Sequence, residues 1–112
     1  MMKTLYTLPG YKLRKLLLEK KVTAREIAET FLNRIKAHNE SLGAFLEIYE
    51  EDVLKKADEV DQKILEGRKV GRLAGIPIAI KDNIHIQGKI TTCASKFLEN
   101  YRAPFDASVI KR

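Results

Sequence analysis

The stretch "VTAREIAETFLNRIKAHN" (22–39) constrains the fold most. Thr23, followed three residues later by Glu26, is the pattern of a capping box, in which each side chain accepts the other residue's backbone N–H. Val22 and Ile27 have the spacing of a hydrophobic staple across that cap. Behind it, Ile27, Ala28, Phe31, Leu32 and Ile35 recur on one face of a 3.6-residue period. The spacing predicts a helix over 24–38 whose apolar stripe has to be covered by another layer of structure.

Two more segments have helical period. In "PGYKLRKLLLEKK" (9–21), Leu13, Leu16 and Leu17 stand at i, i+3, i+4, which predicts a helix over about 11–20 with lysines at its favourable C-terminal end. In "EEDVLKKADEVDQKILEG" (50–67), Val53, Leu54, Ala57, Val60, Ile64 and Leu65 predict a helix over 50–66. Acidic residues crowd its first turn and Gly67 follows it, where a left-handed residue ends a helix well.

Two runs have strand character. "AFLEIY" alternates and predicts a strand over 44–48, and "GIPIAIK" predicts one over 76–81, its start made irregular by Gly75 and Pro77. The remainder is expected to be loop, with a short helical turn around 96–99. Asp106 is placed to cap a helix beginning at about 107 in "ASVIKR". No residue closes that helix, so residues 1–112 are expected to be the N-terminal part of a single longer domain. The element order indicates an α/β layered architecture with N-terminal helices and the first strands of a mixed sheet. Two strands do not make an independent sheet, so the sheet is expected to be incomplete.

Composition narrows the class. The chain has 45% apolar and 32% charged residues, which is ordinary for a globular domain. No apolar run approaches the ~20 residues that span a bilayer, and no leader pattern begins the chain. A cytoplasmic protein without membrane association is expected. Cys93 is the lone cysteine, which excludes an internal disulfide, and no Cys/His cluster has the spacing of a zinc site. Net charge is +6, distributed unevenly. Residues 1–40 hold nine Lys+Arg against four Asp+Glu, and residues 41–70 hold five against eight. Such a balance suits either an anionic partner such as RNA or a plain solvated surface.

Lys81 raises the chemical question. On a strand over 76–81, side chains alternate, so Ile76, Ile78 and Ile80 share an inward face while Pro77, Ala79 and Lys81 share the other. Lys81 then stands at the carboxyl end of its strand, the edge where ligands gather in open α/β sheets. A desolvated lysine loses its proton and serves as a general base. Otherwise it pairs with Asp82 or another carboxylate, or reaches out to water. Asp82 and Asn83 orient the lysine or simply make a turn. Thr91 and Thr92 have hydroxyls to bond the lysine segment or their own turn. Cys93 lacks a histidine in nucleophile-activating surroundings and is expected to be a buried or half-buried spectator. His38 suits a helix C-terminus, and His85 and the acidic run 58–61 have no metal-loop pattern.

"LAGIPIAIKDNI" followed by "GKITTCASKFLENYRAPFDASVI" resembles the amidase signature family, over about residues 10–112. Through "TTCASKFLEN" and "APFDASV" the chain is most similar to the family's tRNA-dependent amidotransferase branch. The resemblance implies a serine nucleophile, a bridging serine and a lysine, the last matching Lys81. A neutral Lys81 would take the proton passed from the nucleophile through the bridging serine. It also implies that Ser95 lies near the active site with Thr91 and Thr92. Both catalytic serines belong to a Gly/Ser-rich loop that these 112 residues lack, since the serines here are Ser41, Ser95 and Ser108. Residues 1–112 alone are therefore expected to be inactive. For the complete assembly the resemblance implies glutamine as ammonia source, B and C subunits as partners, tRNA contacted mainly through the B subunit, and ATP and Mg²⁺ used by the complex, with no cofactor in the chain itself. Two other readings stay open: an amidase acting on a small amide, and a basic RNA- or protein-binding module without chemistry.

Overall fold

A computed structural model describes residues 2–112. The chain forms two compact units, one ending at Pro77 and one spanning Ile78–Arg112.

The first unit is helical. A 3-10 turn, Met2–Thr7, precedes α1 (Gly10–Leu18), α2 (Ala24–Leu42) and α3 (Glu50–Leu65). The capping box forms as its sequence predicts: Glu26 N–H donates to Thr23 Oγ1 and Thr23 N–H donates to Glu26 Oε2, both at 3.0 Å. Val22 and Ile27, the staple pair, are both buried. α2 packs against α3 and against the N-terminal 3-10 turn. Leu5, Leu13, Leu17, Val22, Ala24, Ile27, Ala28 and Ala57 form the core, ringed by half-buried Phe31, Val53, Leu54, Val60, Ile64 and Ile76. Removing a side chain such as Ile27 or Leu17 from water is worth about 1.5–3 kcal/mol each, so this cluster is the main stabilising feature of the unit.

Each helix ends where the backbone turns left-handed. Lys20 (φ 59°) ends α1, with Lys20 N–H on Leu17 O and Lys21 N–H on Leu16 O. Gly67 (φ 70°) ends α3 with the same pair of bonds, Gly67 N–H to Ile64 O and Arg68 N–H to Lys63 O. Both are Schellman closures that satisfy carbonyls left over at a helix end. α2 runs to Leu42, beyond the expected end at 38, because Gly43 (φ 61°) supplies its left-handed residue and donates to Asn39 O at 2.7 Å.

One contact of α2 comes from outside its own segment. The Asp61 carboxylate on α3 accepts from Ala24 N–H (2.7 Å) and Arg25 N–H (3.1 Å), two of the donors that a helix start leaves unpaired. Arg25 adds ion pairs to Asp58 (2.8 Å) and Glu29 (2.9 Å), and these carboxylates, Asp58 foremost, raise its pKa.

The sheet expected from the sequence does not form among the described residues, which contain one isolated antiparallel bridge, between Ile90 and Arg102. At 44–48 the expected strand is replaced by a side-chain clamp: Phe45 N–H donates to Asn39 Oδ1 (2.8 Å) and Asn39 Nδ2 donates to Phe45 O (2.9 Å). With both of Phe45's backbone groups taken by one amide, no ladder starts there. The segment 76–81 has no ladder partner among the described residues. The expected inward face also fails, since Ile76 is half-buried but Ile78 is 77% exposed. Gly75 (φ 77°) precedes it so closely packed that a Cβ would lie 2.7 Å from Leu17 Cδ2, which explains the irregular start.

The second unit has little regular structure: a 3-10 turn, Lys96–Leu98, and a four-residue helix, α4 (Ser108–Lys111). Asp106 does not cap α4. Its carboxylate accepts from Gln87 N–H at 2.7 Å, and Ala107 stands at the cap position without a side-chain bond. Among the described residues no helix is long and apolar enough to cross a membrane.

Candidate active site

The residues singled out from the sequence, Lys81, Asp82, Asn83, Thr91, Thr92 and Ser95, all lie in the second unit. The chain brings most of them together by tying 81–84 to 91–95. Asp82 is the centre. Its Oδ1 accepts from Thr92 N–H at 2.9 Å, its Oδ2 accepts from the Thr92 hydroxyl, and its carbonyl accepts from Cys93 N–H at 2.9 Å. Thr92 Oγ1 in turn accepts from Ala94 N–H at 3.1 Å. Hydrogen bonds to the charged form favour it: the Thr92 hydroxyl first and the Thr92 N–H second hold the Asp82 carboxyl below the usual range; burial opposes them, and the Ala94 N–H adds the least.

The rest of the turn follows from this clamp. Cys93 (φ 50°) and Ala94 (φ 62°) are consecutive left-handed residues without being glycine, a conformation that needs external support. The Asp82 and Thr92 bonds on either side supply it. The Cys93 thiol is exposed, contrary to the expectation of a buried or half-buried spectator, because it projects from a left-handed surface turn instead of from a packed element. Ser95 N–H closes the turn on Thr92 O (2.8 Å), and Ser95 Oγ then caps the 3-10 turn by accepting from Phe97 N–H (3.2 Å).

Thr91 is the buried polar residue of this unit, 2% exposed, with its N–H on Tyr101 O at 3.0 Å. It anchors the strand-like pairing in which Ala103 N–H donates to Lys89 O and Gly88 N–H donates to Ala103 O. His85 packs its ring against Phe105 and Tyr101, at centroid distances of 5.2 and 5.9 Å, and takes no part in the Asp82 clamp. His38 lies in the first unit, on a shallow cleft with Ile35, Leu42 and Phe45.

Lys81 is exposed, and so is Asn83. Lys81's carbonyl accepts from Ile84 N–H at 3.1 Å, which fixes its backbone in a turn. Residues 78–112 therefore hold Lys81 at a defined point but do not dry it. The pairing with Asp82 weighed from the sequence is absent among the described residues, since that carboxylate is committed to Thr92. The sequence named Thr92 and Asp82 separately, and their bond has no signature beyond two polar residues ten positions apart. Asp106 carried a helix-cap signal that pointed to the wrong partner, and Tyr101 contributes through its backbone alone, which no sequence pattern marks.

An exposed lysine at the start of a turn, beside the polar clamp of Asp82 and Thr92, is an arrangement for presenting an amine to other groups. The chain belongs to the amidase family, whose model matches residues 26–112. Within that family it is 49% identical over 108 residues to the A subunit of the glutamyl-tRNA(Gln) amidotransferase of Chlamydia abortus, and 50% identical over 108 residues to its counterpart in Chlamydia felis. Each similarity covers 96% of this chain and 22% of the relative, so the chain spans about a fifth of the length of these curated proteins. Among solved structures it superimposes with a TM-score of 0.87 on one described as a vestigial protein complex that reveals the evolutionary origins of an s-triazine catabolic enzyme, at 25% identity over 93% of this chain and 23% of that one. A bacterial aryl acylamidase of the amidase signature family gives a TM-score of 0.81 over 86% of this chain and 20% of that one; at 24% identity it shows a shared fold.

Proposed function

We propose that this chain is the N-terminal portion of an amidotransferase A subunit that hydrolyses glutamine to supply ammonia for converting Glu-tRNA(Gln) to Gln-tRNA(Gln), and that Lys81 is its general base. One observation carries the reading: the similarity to amidotransferase A subunits runs through 108 of 112 residues, and therefore across Lys81 and its turn. The geometry supports it. Lys81 leads into a clamped turn and has no carboxylate partner among the described residues, so its amine is free for other hydroxyls. In the complete enzyme a Gly/Ser-rich loop would supply the nucleophilic and bridging serines and exclude water from the amine. Neutral Lys81 would then accept the proton that leaves the nucleophile. The partners on this reading are B and C subunits, with tRNA held mainly by the B subunit. ATP and Mg²⁺ would be used by the complex and no cofactor by this chain, in the cytoplasm.

The test uses the complete protein assembled with its partners. Lys81→Ala should lower ammonia release from glutamine by about 10²–10⁴-fold, the usual contribution of general-base catalysis, with the melting temperature unchanged. Glutaminase activity that survives in the variant would refute the base assignment. Hydrolysis of small amides without glutamine turnover would favour a different amidase. Residues 1–112 alone should release no ammonia. A salt-dependent tRNA affinity of that piece, with no catalysis by the complete protein, would favour a binding module.

A further inference from the structure

Asp82 is the carboxylate adjacent to Lys81 in sequence, and it is turned to a different task. Thr92 grips both of its oxygens, one through its N–H and one through its hydroxyl. The hydroxyl's direction is fixed, because the ionised Asp82 carboxylate can only accept and so takes the hydroxyl's proton, while a lone pair of Thr92 Oγ1 accepts from Ala94 N–H. A free carboxylate beside an amine favours the ammonium form and so disables a base. We propose that Thr92 is a positioning residue that keeps the Asp82 carboxylate away from the Lys81 amine and so preserves the lysine as a base. The inference rests on the reading of Lys81 given under Proposed function.

The surrounding groups leave this role to Thr92. On the turn itself, Cys93 and Lys96 are exposed and make no ion pair with Asp82 among the described residues. Of the segments bonded to it, Arg102 donates to Gly88 O, Asp106 accepts from Gln87 N–H, and His85 is packed on Tyr101 and Phe105. Lys89 shares the pairing that holds Ala103. Glu99 is exposed at the end of the 3-10 turn, and its N–H bonds Lys96 O.

The experiment is the pH dependence of kcat/KM for glutamine in the complete assembly. Activity of a lysine base rises with pH as the amine loses its proton. Thr92→Val keeps the N–H and the shape but removes the hydroxyl. Its rising limb should move up by about one pH unit, the lower end of the range for a nearby opposite charge, with a roughly tenfold loss at a fixed pH below the limb. Thr92→Ser should keep the wild-type limb. Adding Asp82→Asn to Thr92→Val should return the limb to the wild-type pH, which a merely structural role of Thr92 would not do. Asp82→Asn alone should leave the limb in place; a downward shift would mean that the carboxylate already acts on the lysine, and would overturn the inference even if Thr92→Val failed to fold. An unmoved limb in Thr92→Val, or no return in the double variant, would overturn it as well. Failure of the base reading itself would show separately, as full activity in Lys81→Ala.

Discussion

The two units are held together by different physics. The first buries a continuous apolar cluster, with Leu5, Leu17 and Ile27 almost fully removed from water. The second buries Ala103 and Thr91 and leaves Phe97 96% exposed. Its turns are fixed by side-chain-to-backbone bonds: Asp82 to Thr92, Ser95 to Phe97, Asp106 to Gln87. Apolar burial is non-directional and tolerates small shifts, whereas a hydrogen-bonded turn fixes particular atoms in particular places. The scaffold uses the first and the candidate site uses the second. A rigid presentation of Lys81 needs direction more than it needs bulk.

The contrast can be broken from either side. Ile27→Ala should have the largest effect, a loss of about 2–5 kcal/mol in urea unfolding followed by helix circular dichroism, because it leaves a cavity at a fully buried position of the core. A loss below about 1 kcal/mol would mean that the first unit does not depend on this core. Asp61→Ala should cost less, about 1–2 kcal/mol, by leaving the Ala24 and Arg25 N–H groups without their acceptor. If that variant is as stable as the parent, the cap from α3 is dispensable and Thr23 alone starts the helix.

Acid should act on the Asp82 turn of the second unit. The folded Asp82 pKa lies below its ordinary value, so its bonds to Thr92 add stability above the unfolded pKa of about 3.9 and lose it as pH falls through the lower folded value. A carboxyl-carbon NMR titration should place the Asp82 midpoint below those of exposed aspartates. The Thr92 amide resonance should shift with the same midpoint. An Asp82 midpoint at or above the ordinary value would mean that Thr92 does not grip the carboxylate in solution. The effect is the smallest of the three, since the carboxylate is not deeply buried.

Much of the first unit was legible because its signals are local. Thr23 and Glu26 lie three apart in sequence and meet through the geometry of one helical turn. Gly67 ends α3 because few other residues tolerate its φ. Gly43 does the same for α2 and carries that helix a turn past the end at 38 expected from the sequence. The strands failed for the converse reason. Alternation at 44–48 and the isoleucines of 76–81 state only that a segment would suit a sheet, and a ladder needs a partner at a distance along the chain. Asn39 occupies Phe45 instead. Asp106 shows the same limit, since its cap-forming chemistry is local but its acceptor went to Gln87, nineteen residues back.

The sequence by itself determined the three helices, the Thr23 start of α2, the Gly67 end of α3, and the amine at position 81, because each depends on residues within one or two turns of one another. Tertiary structure alone decided that Asp61 would cap α2 from α3, that Cys93 and Ala94 would turn left-handed, and that Asp82 would bond Thr92 instead of Lys81. Those outcomes depend on which donors and acceptors folding brings within about 3 Å, and no spacing along the chain encodes that distance.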